Sequence, residues 1–402
     1  MTPSARVGTA IELLDAIIAA ARGQGAPADR ILAEWFRANR FAGSGDRRAI
    51  RELVYRAIRA CGPIPQTGRA AMLRLAEEEP DLLAAFDGSL HGPAPLAEGE
   101  PVAAAGVAPA WLAERLAAAG IDGPEAHALL DRAPLDIRVN ALKAERATIA
   151  LPLPGERLPT PQGLRFPAGT PVDRWDALRD GLLEVQDCGS QIACEAVAAR
   201  PGETVIDLCA GAGGKTLALA AAMGNKGVLI AADTDRGRLS RLRPRASRAG
   251  AELGDVVLLD PGRELERLAQ WCGQDGDGPD GGGRADAVLV DAPCSGTGTW
   301  RRNPEARWRL DPAGLDRLVA LQRHLLGVAA RLVRPGGRLV YVTCSLLDEE
   351  GAGQAEAFLA AHPGWRGEPL DLPLGTPRGP GWRMTPARDG SDGFFIARLR
   401  KP

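Results

Sequence analysis

The spacing of apolar positions changes character along the chain. Ile11, Leu14, Ile18 and Ala21 recur at helical intervals, as do Ile50, Leu53, Val54, Ala57 and Ile58, so residues 9–80 are expected to be helical. A stretch rich in Gly, Pro and Ala, Asp87–Ala105, interrupts this pattern and reads as a linker. Helical spacing resumes in APAWLAERLAAAGI, and a strand is expected at Leu135–Ala141. From about residue 180 short apolar runs alternate with helical stretches: TVIDLC, GVLIAAD, DVVLLD, DAVLVDAP, RLVYVTCS and FFIARL. Such alternation predicts a Rossmann-like, mostly parallel sheet with helices on both faces, and the last run suits an antiparallel edge strand. Gly273–Gly283, rich in Gly and Asp, is expected to be a surface loop. The chain thus divides into a helical domain (1–86), a linker (87–105), a small α+β subdomain (106–175) and a large α/β domain (176–402).

Composition narrows the partners. At 402 residues the chain fits two or three domains, and its 25% charged content is ordinary for a globular protein. The formal net charge is -2, so a surface for a polyanion has to come from local clustering. Of the 49 basic residues only Lys143, Lys215, Lys226 and Lys401 are lysines. Seven cysteines are scattered without a C-x-x-C pair, which argues against a disulfide framework or a zinc site, so no metal is expected. The first residues, MTPSARVGTAIELLDAIIAAARGQG, carry acids inside the apolar stretch and read as an amphipathic helix, not a signal peptide. No apolar run approaches the roughly 20 residues of a membrane span. A cytoplasmic protein is expected.

Two kinds of segment carry chemistry. In ETVIDLCAGAGGKTLALAAAM an apolar strand runs into Gly211, Gly213 and Gly214, and a helix begins near Lys215. Glycines there allow a sharp turn and close approach of a ligand to the backbone. Asp207 and Asp233 end successive strands, and a carboxylate at Asp233 suits a ribose diol. The loop lacks the order of a dinucleotide fingerprint and the spacing of a phosphate-binding loop, which favours a nucleoside cofactor without phosphates. Cys209, Ala210, Ala212 and Arg238 complete the expected cofactor surroundings, although packing explains Cys209 better. Asp260 reads either as a partner for adenine or as a strand-end turn residue.

The second kind is a matched pair, DAPCSGTG (291–298) and YVTCSL (341–346). Each places a cysteine at the C-terminal end of an apolar strand, where ligands of doubly wound sheets bind. Two thiols then converge on one substrate. Carbon 5 of cytosine is a poor nucleophile, and a thiolate adding to carbon 6 makes it reactive as an enamine. A second group is needed to help remove the carbon-5 proton and release the enzyme. For Cys61, Cys188, Cys194 and Cys272 the expectation is a small buried apolar residue.

These motifs, with VQDCGSQIA (185–193), RRNPEARW and the closing DGFFIARL, resemble the RsmB/Sun (NSUN) family of RNA 5-methylcytosine methyltransferases over nearly the whole chain. One departure is Gly211-Ala212-Gly213, where many members carry Ala-Pro-Gly. The resemblance implies a class I methyltransferase fold and S-adenosyl-L-methionine as cofactor. It implies Cys344 as nucleophile, Cys294 as the group assisting release, Asp291 at the base, and Asp233 and Asp260 at ribose and adenine. Lys215 would help orient the site or lie on the surface. FAGSGDRRAIRELVYRAIR (41–59) is similar to an all-helical NusB-like, RNA-binding domain, so Arg47 and Arg48, and beside the cysteine motif Arg301, Arg302 and Arg307, are expected on RNA phosphates. Ribosomal RNA, 16S above all, is the implied substrate of a monomeric enzyme. A tRNA methyltransferase shares every catalytic feature; a DNA methyltransferase would not need the second cysteine. A noncatalytic RNA-binding assembly factor on the same fold is the alternative from another class.

Overall fold

The computed structural model describes residues 1–23, 25–272 and 283–402, so nearly all of the expected Gly/Asp-rich loop lies outside the described residues. Its contacts divide the chain into two units: Met1–Asp131 with Thr299–Asp311, and Arg132–Gly298 with Pro312–Pro402. The segment that follows DAPCSGTG is therefore part of the helical unit, against the sequence-based boundaries.

In the first unit four helices carry the core: α1 (Pro3–Arg22), α2 (Ala28–Ala38), α3 (Ser44–Ala60) and α4 (Gly68–Glu78). Thr2 and Thr67 cap α1 and α4, their hydroxyls accepting from Ala5 N at 3.1 Å and Ala70 N at 3.0 Å. Leu14, Ile17, Leu32, Ile50, Ile58 and Met72 interlock in a buried cluster that also takes Trp308. A side chain at position 68 would strike the Ile11 carbonyl, so glycine permits the close approach of α4 to α1. The expected linker lacks helix beyond residue 87 but is not loose. Asp87 accepts from Ser4 at 2.7 Å and Glu100 pairs with Arg69 at 2.8 Å.

The RRNPEARW segment corrects one expectation. Arg307 is fully buried, and its guanidinium donates to the carbonyls of Ile58, Cys61 and Pro304, each at 2.6 Å. It gives buried carbonyls at the end of α3 a charged donor, Ile58 O also accepting from Cys61 N at 3.3 Å, and has no surface to offer a phosphate. Burial pulls its pKa down to about 9. Arg301 is only 8% exposed, so it too is largely withdrawn from solvent. Arg309 donates to Gly25 O at 2.9 Å and Ala26 O at 2.8 Å. Arg307→Met is expected to destabilise the helical unit by about 3 kcal/mol, because buried carbonyls lose their donor. Thermal unfolding would measure this; unchanged stability with weakened RNA binding would restore the phosphate role.

The second unit opens with a small antiparallel sheet of order β2-β3-β1-β4, built from β1 (Leu135–Val139), β2 (Glu156–Arg157), β3 (Gly163–Phe166) and β4 (Leu183–Val185). Because β4 pairs with β1, this sheet extends past residue 175, beyond the expected subdomain end. The large sheet follows with β5 (Thr204–Asp207), β6 (Val228–Asp233), β7 (Asp255–Leu258), β8 (Ala285–Asp291), β9 (Val333–Thr343), β10 (Arg366–Glu368), β11 (Thr376–Arg378), β12 (Gly381–Met384) and β13 (Phe394–Arg400). Its order is β11-β12-β13-β9-β8-β5-β6-β7, with β10 also on β13. Strands β7, β6, β5, β8 and β9 are parallel, and β13 is antiparallel to β9. The closing run is thus antiparallel as expected, yet internal, since β12 covers its far side.

Alternation along the strands builds two cores. Ile206, Val288, Val290, Leu339 and Tyr341 face one layer, which includes Leu325 and Ala329 of the helix Pro312–Leu332. Val205, Leu289, Val340 and Val342 face the other, with Ile192 and Leu219. Burial on both faces explains why these strands read as continuous apolar runs. Chain order reverses direction between β6 on one side of β5 and β8 on the other, which opens a crevice at the C-terminal strand ends. Among the described residues no helix is long and apolar enough to cross a membrane.

Candidate active site

Four side chains meet at the C-terminal ends of β8 and β9 and the start of the helix Gly214–Met223. Cys294, three residues past β8, and Cys344, the residue after β9, bring their sulfurs to 3.4 Å. Lys215 Nζ donates to Asp291 Oδ2 at 2.7 Å, and its ammonium lies 5.5 Å from the centre of the Phe394 ring. Lys215 is thus turned in against Asp291, its side chain 11% exposed, and does not lie out on the surface. Burial is the strongest single influence and opposes its charge, but Asp291, Cys194 and Cys344 together outweigh it and raise the Lys215 pKa.

A polar mesh fixes the separation of the two cysteine loops. Gly298 N donates to Cys344 O at 2.9 Å and Ala292 N to Val342 O at 2.9 Å. Ser295 Oγ and Thr297 Oγ1 each lie 3.2 Å from Ser345 Oγ, and Leu346 N donates to Thr297 Oγ1 at 2.8 Å. Glu350, fully buried, accepts from Ser295 N at 2.8 Å and Gln322 Nε2 at 2.9 Å. The Cys294 thiol is pushed well above its usual range, first by its hydrogen bond to Cys344, then by burial, with the Glu350 charge adding to both. A thiol held protonated beside another sulfur suits a proton donor better than a nucleophile.

The other cysteines stand apart. Cys61, Cys188 and Cys194 are buried, and burial pushes their thiols up to about 12, 12 and 11. Cys272 and Cys209 are partly exposed and pack against the sheet's core.

The glycine loop forms a cradle at the end of β5. Gly211 and Gly213 have φ of +55° and +91°, conformations that disfavour other residues, and a side chain at Gly213 would run into Leu242. Nothing lies within 4 Å of where a Gly214 side chain would begin. Asp233 Oδ2 accepts from Gly211 N at 2.7 Å and Oδ1 from Asp235 N at 2.7 Å, which locks the carboxylate at the cradle's rim. The Arg238 guanidinium lies against Gly211. Ala210 is held by its N–H on Ala232 O at 2.9 Å, and Ala212 O accepts from Arg245 at 2.7 Å. Arg245 is in turn anchored at 2.6 Å by Glu184 of β4, which also binds Arg248 at 2.8 Å. The small sheet therefore braces the cradle, a link absent from the sequence reading. Asp260 is exposed past β7, and its carbonyl closes a turn with Arg263 N at 2.9 Å.

Asp207 is fully buried; Oδ2 accepts from Thr216 at 2.6 Å while Oδ1 has no hydrogen-bond partner. Burial pushes its carboxyl up to about 7, against the pull of Thr216. Between the unfolded value near 4 and about 7 the folded protein binds the extra proton, so stability falls as pH rises through that window. Asp207→Asn keeps an acceptor for Thr216 and cannot ionise. Its melting temperature should equal the parent's near pH 4 and exceed it increasingly up to pH 8, by a free energy on the order of a few kcal/mol. Parallel melting curves across that range would contradict the assignment.

The orphaned Asp207 oxygen, the open Gly214 backbone and the Asp233 rim fit a nucleoside cofactor with hydrogen-bond donors and no phosphate. Sheet order, cradle and acidic strand ends together define a class I methyltransferase fold. The family description "16S rRNA methyltransferase RsmB/F" matches residues 194–400, and the chain belongs to that family. A probable ribosomal RNA small subunit methyltransferase B from Synechocystis is 36% identical over 286 residues, covering 66% of this chain and 60% of the relative. Its counterpart from Thermus thermophilus is 42% identical over 223 residues, covering 54% and 50%. The chain spans 52–60% of the length of the first curated relatives it matches. The solved structure of PH0851 superposes with a TM-score of 0.75 at 28% identity, over 100% of this chain and 99% of that one. NSun6 from Pyrococcus horikoshii, solved with SFG, shares the fold at 21% identity, TM-score 0.63, over 73% and 98%.

Proposed function

We propose that this protein transfers a methyl group from S-adenosylmethionine to carbon 5 of a cytosine in small-subunit ribosomal RNA. The observation that carries this reading is the 3.4 Å approach of two thiols from adjacent strands, beside a lysine–aspartate pair and a phosphate-free nucleoside cradle. The relatives' names supply the RNA.

Cys344 adds as thiolate to carbon 6 of the base, and the electron pair moves to carbon 5. Asp291 holds ring nitrogen 3 and the exocyclic amine, while Lys215 balances its charge. Asp233 binds the cofactor's ribose, Asp260 its adenine edge, and the backbone of 210–214, with Asp207, Cys209 and Arg238 around it, the remainder. When bound, the cofactor supplies the electrophilic methyl. Water then takes the carbon-5 proton as the carbon 6–sulfur bond breaks, and Cys294 assists elimination by donating its thiol proton to the departing Cys344 sulfur. Arg47, Arg48 and Arg302 are the phosphate contacts that fit the reading, Arg48 being exposed and the other two partly so. The target base leaves its stack to reach the thiols. The enzyme acts as a cytosolic monomer.

The test is incubation of the full chain with methyl-labelled cofactor and small-subunit rRNA, followed by bisulfite sequencing. A single protected cytosine is expected. Label on another atom, or on tRNA alone, would overturn the substrate; cofactor binding without any transfer would favour the assembly-factor alternative.

A further inference from the structure

The carboxylate buried behind the two thiols has no place in the reaction just derived, yet it organises one of its participants. Glu350 has no solvent to ionise into, so its oxygens must be met by protein donors. Those donors are Ser295 N at 2.8 Å, Ser295 Oγ in a short bond, and Gln322 Nε2 at 2.9 Å. Gln322 also donates to Pro293 O at 2.9 Å. Each of these groups therefore either belongs to the Pro293–Ser295 segment or grips it, and Cys294 is the residue in the middle. The mesh on the other side, Ser295 Oγ to Ser345 Oγ at 3.2 Å, reaches the residue after Cys344. Glu350 itself is pinned by its backbone, since Tyr341 Oη donates to Glu350 O at 2.6 Å from within β9.

We propose that Glu350 is a positioning residue that holds the Cys294 loop against β9, so that Cys294 meets the base adduct and serves enzyme release, not methyl transfer. This rests on the cytosine-5 reading above. Cys344 needs no such clamp, because it follows directly on a strand paired along both edges, β8 on one side and β13 on the other. Cys294 sits on a loop three residues past its strand, and these hydrogen bonds hold the residues on either side of it. The charge of Glu350 also favours the protonated Cys294 thiol, the form with a proton to exchange with the adduct.

The full chain would be compared with Glu350→Gln, Ser295→Ala and Cys294→Ala, using labelled cofactor and small-subunit rRNA. With Glu350→Gln the first methyl transfer should stay within about threefold of the parent, while steady-state turnover falls roughly 10- to 100-fold and a denaturant-resistant protein–RNA adduct accumulates. Ser295→Ala, which removes the hydroxyl bonds to Glu350 and Ser345 but leaves Ser295 N on the carboxylate, should give the same pattern more weakly, and it carries the test should Glu350→Gln fail to fold. The double variant with Cys294→Ala should be no worse than Cys294→Ala alone. Parent-like turnover of both single variants, or an equal fall in first transfer and turnover in both, overturns the positioning role. If instead Cys294→Ala forms no adduct and the parent makes no 5-methylcytosine, the cytosine-5 reading fails, and the proposal with it.

Discussion

Cys344→Ala is expected to abolish methyl transfer, and Cys294→Ala to leave protein and RNA joined in a band that withstands denaturant. The two variants differ by one sulfur each, at positions 3.4 Å apart, so a nonspecific loss of structure would affect them alike. Their different outcomes follow from the order of steps. Without Cys344 no bond to carbon 6 forms, and carbon 5 stays unreactive, so the loss should reach the detection limit. Without Cys294 that bond still forms and the methyl still moves, but the adduct then lacks the proton donor that assists elimination. Gel shift under denaturing conditions and single-turnover transfer of label measure the two steps separately. Exchanged phenotypes would reverse the assignment of the thiols.

Lys215→Met should lower kcat/KM by roughly 10²- to 10³-fold, the scale seen when a charge aimed at a reacting centre is removed. In the parent, Lys215 balances Asp291 across 2.7 Å. Without it the Asp291 carboxylate loses its counter-charge at the place where the base would bind. Adduct formation and methyl transfer should fall together, in contrast to Glu350→Gln. Activity within a fewfold of the parent would make the lysine a structural residue of the helix start.

The parallel strands were legible because burial on both faces demands apolar runs, and the cofactor cradle because its positive-φ backbone at 211 and 213 favours glycine. The two cysteines announced themselves by their shared place at strand ends. Other residues carried no such mark. Glu350 stands in an acidic run, LLDEE, with no motif to single it out; it is buried because Ser295 and Gln322 arrive from elsewhere to satisfy it. Glu184 braces the cradle through Arg245, 61 residues further along the chain. Arg307 reads as a phosphate contact from its neighbours in sequence, and helix carbonyls some 250 residues earlier claim it instead.

By itself the sequence determined the strand-and-helix order, the glycine turn and the cysteine positions, since each depends on side-chain periodicity or backbone freedom within a few residues. Only the tertiary structure decided which charged groups are buried and which stay available, that Lys215 faces Asp291, and that the closing strand lies inside the sheet. A polar group's fate depends on whether distant residues supply its partners, and that cannot be computed from its own neighbourhood.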